Sequence, residues 1–171
     1  SFFVSRVDGK VIAVLDKSGY PELQGRVAVA NAKLAYGRFT ELFNGKRWQA
    51  LEAAGAHVQR PLWASTSVKN PNYPDTMYVN QLKGPYTVNT VPPDTLEAFL
   101  DHGMAARSID SEIESAQAHI ESLKARGVEL DSITAALQEE GVEKFADSFR
   151  SLTASIEEKR NRLQRGEDFM D

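Results

Sequence analysis

The sequence predicts an α/β protein, with a small parallel sheet in residues 1–104 and C-terminal helices after it. Segments with strand character alternate with helical segments up to about residue 104, which is typical of βα units on a parallel sheet. From Ser111 onward only the helical spacing of three and four residues recurs. The chain has 171 residues, of which 42% are hydrophobic and 26% are charged, so its composition is that of an ordinary globular protein.

The first predicted element is a buried strand at the start of the chain. An apolar run of Phe2, Phe3, Val4 and Val7 is interrupted by Arg6 and followed by Asp8. We expect this strand to deliver charge at its C-terminal end, and residues 8–22, with turn residues at both ends, to form a connection.

The next five elements continue the alternation of helices and strands. Residues 26–54 predict one long helix or two helices broken near Asn44-Gly45, and Gly55 ends this segment. The others are a strand over residues 58–65, a short helix over 74–82, a strand over 86–90 and a helix over 92–103. Pro74 and Pro92 suit the first turns of their helices.

The C-terminal region predicts two or three amphipathic helices. Two stripes have helical spacing: Ile113, Ala116, Ile120 and Leu123, then Val142, Phe145, Phe149, Leu152 and Ile156. Between them, residues 131–141 predict a short helix that Gly141 ends. Each apolar stripe must be buried against something, and we expect a frayed polar tail after Arg165.

Charge and composition exclude several function classes. Residues 1–104 contain 11 Lys+Arg and 9 Asp+Glu, a net of +2, whereas residues 105–171 contain 9 and 15, a net of −6. The first part can therefore host an anion, and the second resembles a solvated acidic layer. A basic stripe with aromatics is absent, which disfavours nucleic acid, and no apolar run is long enough for a membrane span. The sequence has no Cys and its three His are scattered, so we expect no metal.

Polar side chains follow each predicted strand. Arg6 could bind a phosphate or carboxylate, but a structural salt bridge explains an arginine there equally well. After the second strand come three hydroxyl residues and Lys69, which form either a phosphate cradle or an ordinary polar loop. Asn89 and Thr90 end the third strand, where capping the next helix is the simpler role. We expect Lys33 to be a solvated surface lysine without a catalytic role.

Four segments resemble transaldolases, in the order that this family has. They are SFFVSRVD at residues 1–8, ANAKLAYGRF at 30–39, QRPLWASTSVKNPNYPDTMYV at 59–79 and YTVNTVPPDTLEAFLDHG at 86–103. They look most like the longer bacterial and plant-type branch, which includes fusions to glucose-6-phosphate isomerase. The resemblance implies a TIM (β/α)8 barrel, with the three strands here as strands six, seven and eight. Residues 1–104 would then be the last three βα units, and residues 105–171 a helical extension packed on the barrel.

The resemblance also implies a reaction. Transaldolases move a dihydroxyacetone unit from sedoheptulose 7-phosphate to glyceraldehyde 3-phosphate, in the pentose phosphate pathway, through a lysine Schiff base and without a cofactor. The family has that lysine on strand four, so we expect no catalytic residue in this chain and expect the chain alone to be inactive.

Four residues of this chain carry over to the binding of substrate. Ser1 and Arg6 match the Ser and Arg of the family's Ser-Pro-Phe-Val-Gly-Arg motif, where Arg6 would hold phosphate and Ser1 would line the site. Ser65 matches the Ser of Ala-Ser-Phe-Arg-Asn. Lys69 stands for the Arg of that motif, but the segment here is two residues longer, and a lysine lacks the planar fork of an arginine.

Three hypotheses remain open. The first is the C-terminal part of a cytoplasmic transaldolase, which begins abruptly because strands one to five belong to a missing part of the chain or to another molecule. The second is a related Schiff-base sugar-phosphate aldolase, which releases dihydroxyacetone. The third is a non-catalytic α/β binding or scaffold fragment. The sequence leaves the oligomeric state open.

Overall fold

The computed structural model describes residues 1–166, and it confirms an α/β chain with a three-stranded parallel sheet. Its elements, in chain order, are β1 (Phe2–Phe3), α1 (Val4–Ser18), a 3-10 turn (Pro21–Leu23), α2 (Val27–Leu42), α3 (Lys46–Ala53), β2 (Leu62–Ala64), α4 (Met77–Gln81), β3 (Val88–Asn89), α5 (Pro93–His102), α6 (Ile113–Ala125) and α7 (Leu130–Gln164). The frayed tail predicted after Arg165 lies, from residue 167 on, outside the described residues.

The three strands pair in the order β1-β2-β3 and all run in parallel. Phe2 pairs with Trp63 and Trp63 pairs with Asn89, so these three residues share one face of the sheet. On that face Trp63 is fully buried, its ring lies 5.4 Å from that of Phe2, and its indole N–H donates to the Leu82 carbonyl at 3.1 Å. Trp63 therefore anchors the middle of the sheet to the end of α4.

The opening segment differs from the prediction. Only Phe2–Phe3 is a strand, and α1 begins at Val4 and continues through the segment that we expected to be a connection. Val7, Val11 and Leu15 are at most 5% exposed and recur every four residues, so they form the buried face of a helix. Gly9 lies on α1, where nothing comes within 4 Å of its Cβ position, and does not interrupt it.

Asp8 is a second correction, because it does not end a strand. Its side chain is 2% exposed and lies between α1, α2 and α4. The carboxylate accepts hydrogen bonds from the Tyr78 hydroxyl at 2.6 Å and from the Ala28 N–H, in the first turn of α2, at 3.0 Å. It therefore satisfies one of the free amides at the α2 N-terminus and joins three helices.

The pH dependence of stability should report on Asp8. Desolvation by burial raises the pKa of Asp8 above 3.8, and the bonds from Tyr78 and Ala28 only partly offset this. A group whose pKa is higher in the folded state than in the unfolded state stabilises the fold at pH values below its unfolded-state pKa. This stabilisation is lost as the pH rises through the folded-state pKa. The contribution of Asp8 is the free energy of unfolding of the native chain minus that of Asp8→Asn. We expect this difference to fall as the pH rises from the unfolded-state pKa of Asp8 towards neutrality. Urea unfolding of both proteins measures it, and a difference that is constant or rises with pH would contradict this assignment.

The helices that follow agree more closely with the prediction. The segment over residues 26–54 is two helices, α2 and α3, broken at residues 43–45 as expected. The strands at 58–65 and 86–90 are shorter than predicted, and α4 begins at Met77, so that Pro74 precedes it. The helix predicted over 92–103 is α5, which has Pro93 in its first turn and ends before Gly103.

His102, the last residue of α5, connects this helix to the segment before α4. Its Nε2 lies 2.8 Å from an Asp75 carboxylate oxygen, and its Nδ1 lies 3.1 Å from Asp101. These two hydrogen bonds, the one to Asp75 first, raise the pKa of His102 above 6.5.

An NMR titration of the His102 ring should show this raised pKa and its decrease in Asp75→Asn. Because the folded pKa is raised, the contact stabilises the fold below pH 6.5, and this contribution is lost as the pH rises through the folded pKa. An unchanged His102 pKa in Asp75→Asn would contradict the contact, and His57 in the same spectra serves as the internal control.

The C-terminal part of the chain consists of α6 and one long helix. Helix α6 packs on α2 with Ala116, His119 and Leu123 buried. The predicted stop at Gly141 is wrong, because α7 continues through this glycine to Gln164. No helix in residues 1–166 is long and apolar enough to cross a membrane.

The chain divides into two compact units, Ser1–Ile133 and Thr134–Asp171. In the second unit, six large apolar residues of α7 are each at least 58% exposed: Val142, Phe145, Phe149, Leu152, Ile156 and Leu163. Their spacing of three, four and seven residues puts them on one face of the helix. We predicted a boundary at residue 104, between a part of a barrel and a helical extension. The division into two compact units does not test that boundary, which stays a prediction.

Candidate functional site

The carboxyl ends of the three strands form one edge of the sheet, because the strands are parallel. We call this the carboxyl edge, and it comprises the last residue of each strand and the three residues that follow it. The register sets them side by side, with Phe3 opposite Ala64 and Trp63 opposite Asn89. In parallel α/β proteins, ligands bind at this edge.

Arg6 lies in the first turn of α1, three residues after β1, and not on a strand as predicted. Its side chain is exposed, and its guanidinium carbon lies 4.9 Å from the centre of the Phe3 ring. Among residues 1–166 no carboxylate pairs with it, so the structural salt bridge considered for Arg6 is not formed there. A guanidinium held over an aromatic ring with its N–H groups unpaired is a suitable donor for an oxyanion.

Ser65 directly follows β2 and has a left-handed backbone, with φ of 54°. For a residue with a Cβ this conformation is strained, and such strain is concentrated at ligand-binding positions. The Ser65 carbonyl accepts from the Ser5 N–H at 3.0 Å, which extends the contact of β1 and β2 beyond the strands. Because Ser5 precedes Arg6, this bond brings the backbones of Arg6 and Ser65 to the same place on the carboxyl edge.

Thr66 and Asn89 complete the carboxyl edge between β2 and β3. Thr66 is fully buried, and its hydroxyl donates to the Asn89 side-chain oxygen at 2.8 Å. Thr90 donates its N–H to the Trp63 carbonyl at 3.0 Å. The expected capping of α5 by Asn89 or Thr90 is wrong, since no side chain caps that helix. This leaves the half-buried Asn89 amide group as a donor with no acceptor among the described residues.

Two predicted site residues are not brought to this cluster by any recorded contact. Ser1 precedes β1 and so lies at the opposite, amino end of that strand, where it is exposed. Lys69 is exposed in the loop between β2 and α4, and within residues 1–166 no hydrogen bond or ion pair holds it. Both stay predictions as ligands of a substrate.

Lys33 is a correction, because it is buried and not a solvated surface lysine. It is 3% exposed, and its Nζ donates to the Ser111 carbonyl at 3.0 Å and to the Ser111 hydroxyl at 3.3 Å. The Glu112 carboxylate lies 3.5 Å away. These partners belong to the start of α6, so Lys33 connects α2 to α6 and lies away from the carboxyl edge.

Lys83 is the lysine whose pKa is lowered, by burial, below the ordinary value of 10.5. It follows α4, and its amine donates to the Asn80 carbonyl and lies near the Phe99 ring. Since Lys83 lies between the end of α4 and the start of β3, it leads into the amino end of a strand and is not part of the carboxyl edge. Among residues 1–166 no group of three His, Asp or Glu could hold a metal ion.

The carboxyl edge can therefore bind an oxyanion, but the contacts found there do not activate an amine. Arg6 contributes a charge, Ser65 a hydroxyl and Asn89 an amide donor. An amine nucleophile needs a depressed pKa or an adjacent base, and no such arrangement occurs among the contacts at this edge. In chemical terms the edge is suited to holding a phosphate group.

Comparison with known proteins gives a match over almost the whole chain. The family model described as Transaldolase/Fructose-6-phosphate aldolase matches residues 1–156. A transaldolase of Frankia alni is 49% identical over 160 residues, which cover 91% of this chain and 43% of that protein. A transaldolase of Acidothermus cellulolyticus is 48% identical over 168 residues, covering 96% of this chain and 45% of the relative. The chain thus spans less than half the length of these curated relatives.

Proposed function

Since the chain belongs to the transaldolase/fructose-6-phosphate aldolase family, we propose that it is the phosphate-binding part of a transaldolase. The proposed reaction moves a dihydroxyacetone unit from sedoheptulose 7-phosphate to glyceraldehyde 3-phosphate, giving erythrose 4-phosphate and fructose 6-phosphate. Such a transferase acts in the pentose phosphate pathway, and with it we propose a cytoplasmic location.

The proposed architecture is a TIM barrel of which this chain supplies strands six to eight, as β1, β2 and β3. The parallel order β1-β2-β3 supports it, because consecutive strands of such a barrel are neighbours. The outer edges of β1 and β3 have no partner strand among residues 1–166, and the relatives are more than twice as long as the part matched. We propose that the other five strands come from the rest of a longer protein or from a second chain. In the same proposal, residues 105–171 are a helical extension packed on the barrel.

The observation that carries the proposal is the unpaired guanidinium of Arg6 over the Phe3 ring, next in the chain to Ser5, whose N–H donates to the Ser65 carbonyl at the carboxyl edge. A sugar phosphate carries its charge at one end, so one cation at the edge fixes which end of the substrate enters the site. Ser65 would donate its hydroxyl to the same phosphate, Lys69 would add a charge from the loop, and Ser1 would line the site. Binding at this position orients the substrate carbonyl towards the rest of the barrel.

The carbon–carbon chemistry of this proposal needs a lysine that lies outside this chain. A lysine Schiff base serves as an electron sink for the bond that breaks and requires neither a metal nor an organic cofactor. We therefore propose that the isolated 171-residue chain has no transaldolase activity.

A second candidate is a Schiff-base aldolase that releases dihydroxyacetone instead of transferring it. The description of the matching family names both activities, so we retain the aldolase as a candidate. The two activities differ in the fate of the three-carbon unit, so product analysis separates them.

The test uses the longer protein, expressed from its complete reading frame, with fructose 6-phosphate as donor. If the protein is a transaldolase, product should form only when erythrose 4-phosphate is added as acceptor, and sedoheptulose 7-phosphate should appear. Free dihydroxyacetone formed without acceptor would identify the aldolase. A folded protein that neither turns over nor binds a sugar phosphate in calorimetry would favour the non-catalytic scaffold and contradict the proposal.

A further inference from the structure

A polar cavity lies between α2 and α6, and none of the residues that line it belongs to the carboxyl edge. Its volume is about 70 Å³, and the residues that line it include Arg26, Lys33, Gln81, Glu112, Ser115 and His119. This space is enough for a group of a few heavy atoms. Arg26, Glu112 and Ser115 are exposed, so the cavity opens to solvent on their side.

His119, on α6, provides the strongest indication of a ligand. It is 7% exposed, and its Nε2 is buried without a hydrogen-bond partner among the described residues. Asp8, Lys33 and Thr66, which are also strongly buried, each have a hydrogen-bond partner, and among the described residues His119 Nε2 is the only fully buried side-chain nitrogen or oxygen without one. A buried ring nitrogen with no partner destabilises the fold, and because the His119 ring lines the cavity, a turn of the ring about its Cβ–Cγ bond would let this nitrogen bond to a group held there.

The charges around His119 determine which ligand fits. The Lys33 ammonium lies 3.5 Å from the Glu112 carboxylate, so these two charges offset one another. Arg26 then remains as the cation without a carboxylate partner among residues 1–166; one of its N–H groups donates to the Ser115 hydroxyl at 3.2 Å. Arg26 and Lys33 together disfavour a metal cation here.

We infer that this cavity is a site for a small oxyanion of the size and charge of phosphate, held by Arg26, Ser115 and His119. A guanidinium offers two parallel N–H donors to such an anion, the hydroxyl adds a third donor, and the imidazole, once turned towards the cavity, adds a fourth. The site is separate from the carboxyl edge, and it does not depend on the proposed transaldolase activity.

The ring of His119 also provides the signal for the test. Burial first, and then the positive charge of Arg26, lower its pKa below 6.5. An anion bound between Arg26 and His119 would favour the imidazolium and raise this pKa. The other charged groups that line the cavity, Lys33 and Glu112, are the same with and without the anion.

The experiment is an NMR titration of the longer protein with inorganic phosphate, followed on the imidazole rings of His57, His102 and His119. Ionic strength is held constant with chloride, and the His119 signals are assigned by their loss in His119→Gln. We expect saturable shifts of His119, with a Kd on the order of 1 mM, a raised His119 pKa, and no comparable shift of His57 or His102. A parallel titration with acetate shows whether a carboxylate binds at the same place.

Two variants decide the outcome. Arg26→Gln should weaken phosphate binding about tenfold or more, because a charge-assisted pair is lost, while the control Arg47→Gln, an exposed arginine of α3, should leave it unchanged. Ser115→Ala provides a second, milder test and should weaken binding several-fold. Absence of a His119 shift up to about ten times the expected Kd would overturn the inference, as would equal binding by wild type and Arg26→Gln.

Discussion

Replacing Arg6 with alanine in the longer protein should lower kcat/KM for a phosphorylated substrate by about 10²–10⁴-fold. Each charge-assisted hydrogen bond contributes about 1.5–3 kcal/mol, and the free guanidinium can make two such bonds to one phosphate. Arg6 is exposed and makes no ion pair among residues 1–166, so its removal should leave the fold intact. Steady-state kinetics with the sugar phosphate measures the change.

The controls for Arg6 separate charge from geometry. Arg6→Lys keeps the charge without the fork and should recover only part of the loss. Arg47→Ala, at an exposed position of α3, should have the activity of the native protein. If Arg6→Ala were as active as Arg47→Ala, the phosphate would not bind at this edge.

Replacing Trp63 with alanine should destabilise the chain by about 3–5 kcal/mol, the usual cost of truncating a large buried aromatic residue. Trp63 is fully buried, contacts Phe2 on the neighbouring strand and donates to the Leu82 carbonyl. The loss would therefore affect both the sheet and the end of α4. Urea unfolding followed by circular dichroism measures it, since the fluorescence of this residue is lost with the substitution.

Two further variants keep this prediction testable if Trp63→Ala does not fold. Trp63→Phe retains a ring and loses the indole hydrogen bond, so we expect a smaller loss of about 1–3 kcal/mol. Trp48→Ala is the matched control, because that tryptophan is only half-buried on α3, beside Phe43. Equal losses for Trp48→Ala and Trp63→Ala would show that Trp63 is not the anchor of the sheet.

Local sequence patterns predicted correctly the helices whose ends are marked by start and stop residues. The prediction failed where one pattern fits two kinds of secondary structure. The sequence marks α5 by prolines at its start and by Gly103 at its end, and the helix begins at Pro93 and ends just before Gly103. The run from Phe2 to Val7 fits a strand and also the start of a helix, and the burial of Val11 and Leu15 further along decides for the helix. Gly141 looked like a stop, but a glycine within a long helix costs only about 1 kcal/mol and does not end it.

The candidate site shows the same limit. The positions of Arg6 and Ser65 near the ends of β1 and β2 could be predicted from the sequence, and their roles as ligands of a substrate stay predictions. The hydrogen bond between Thr66 and Asn89 joins residues 23 positions apart, at the carboxyl ends of neighbouring strands, and only the register reveals it. Lys33 is buried by Ser111 and Glu112, which lie almost 80 residues further along the chain, so its local sequence could not indicate its burial.

We propose that this chain binds the phosphate of the substrate and that a lysine outside it forms the Schiff base. The most direct test of this proposal is chemical trapping of the Schiff base. The longer protein is treated with fructose 6-phosphate and borohydride, digested and analysed by mass spectrometry, and the isolated 171-residue chain is treated in parallel. We expect a covalent adduct on a lysine outside residues 1–171 in the longer protein and no adduct on the isolated chain. An adduct on any lysine of this chain, in either sample, would contradict the assignment of the chain to the phosphate-binding side alone.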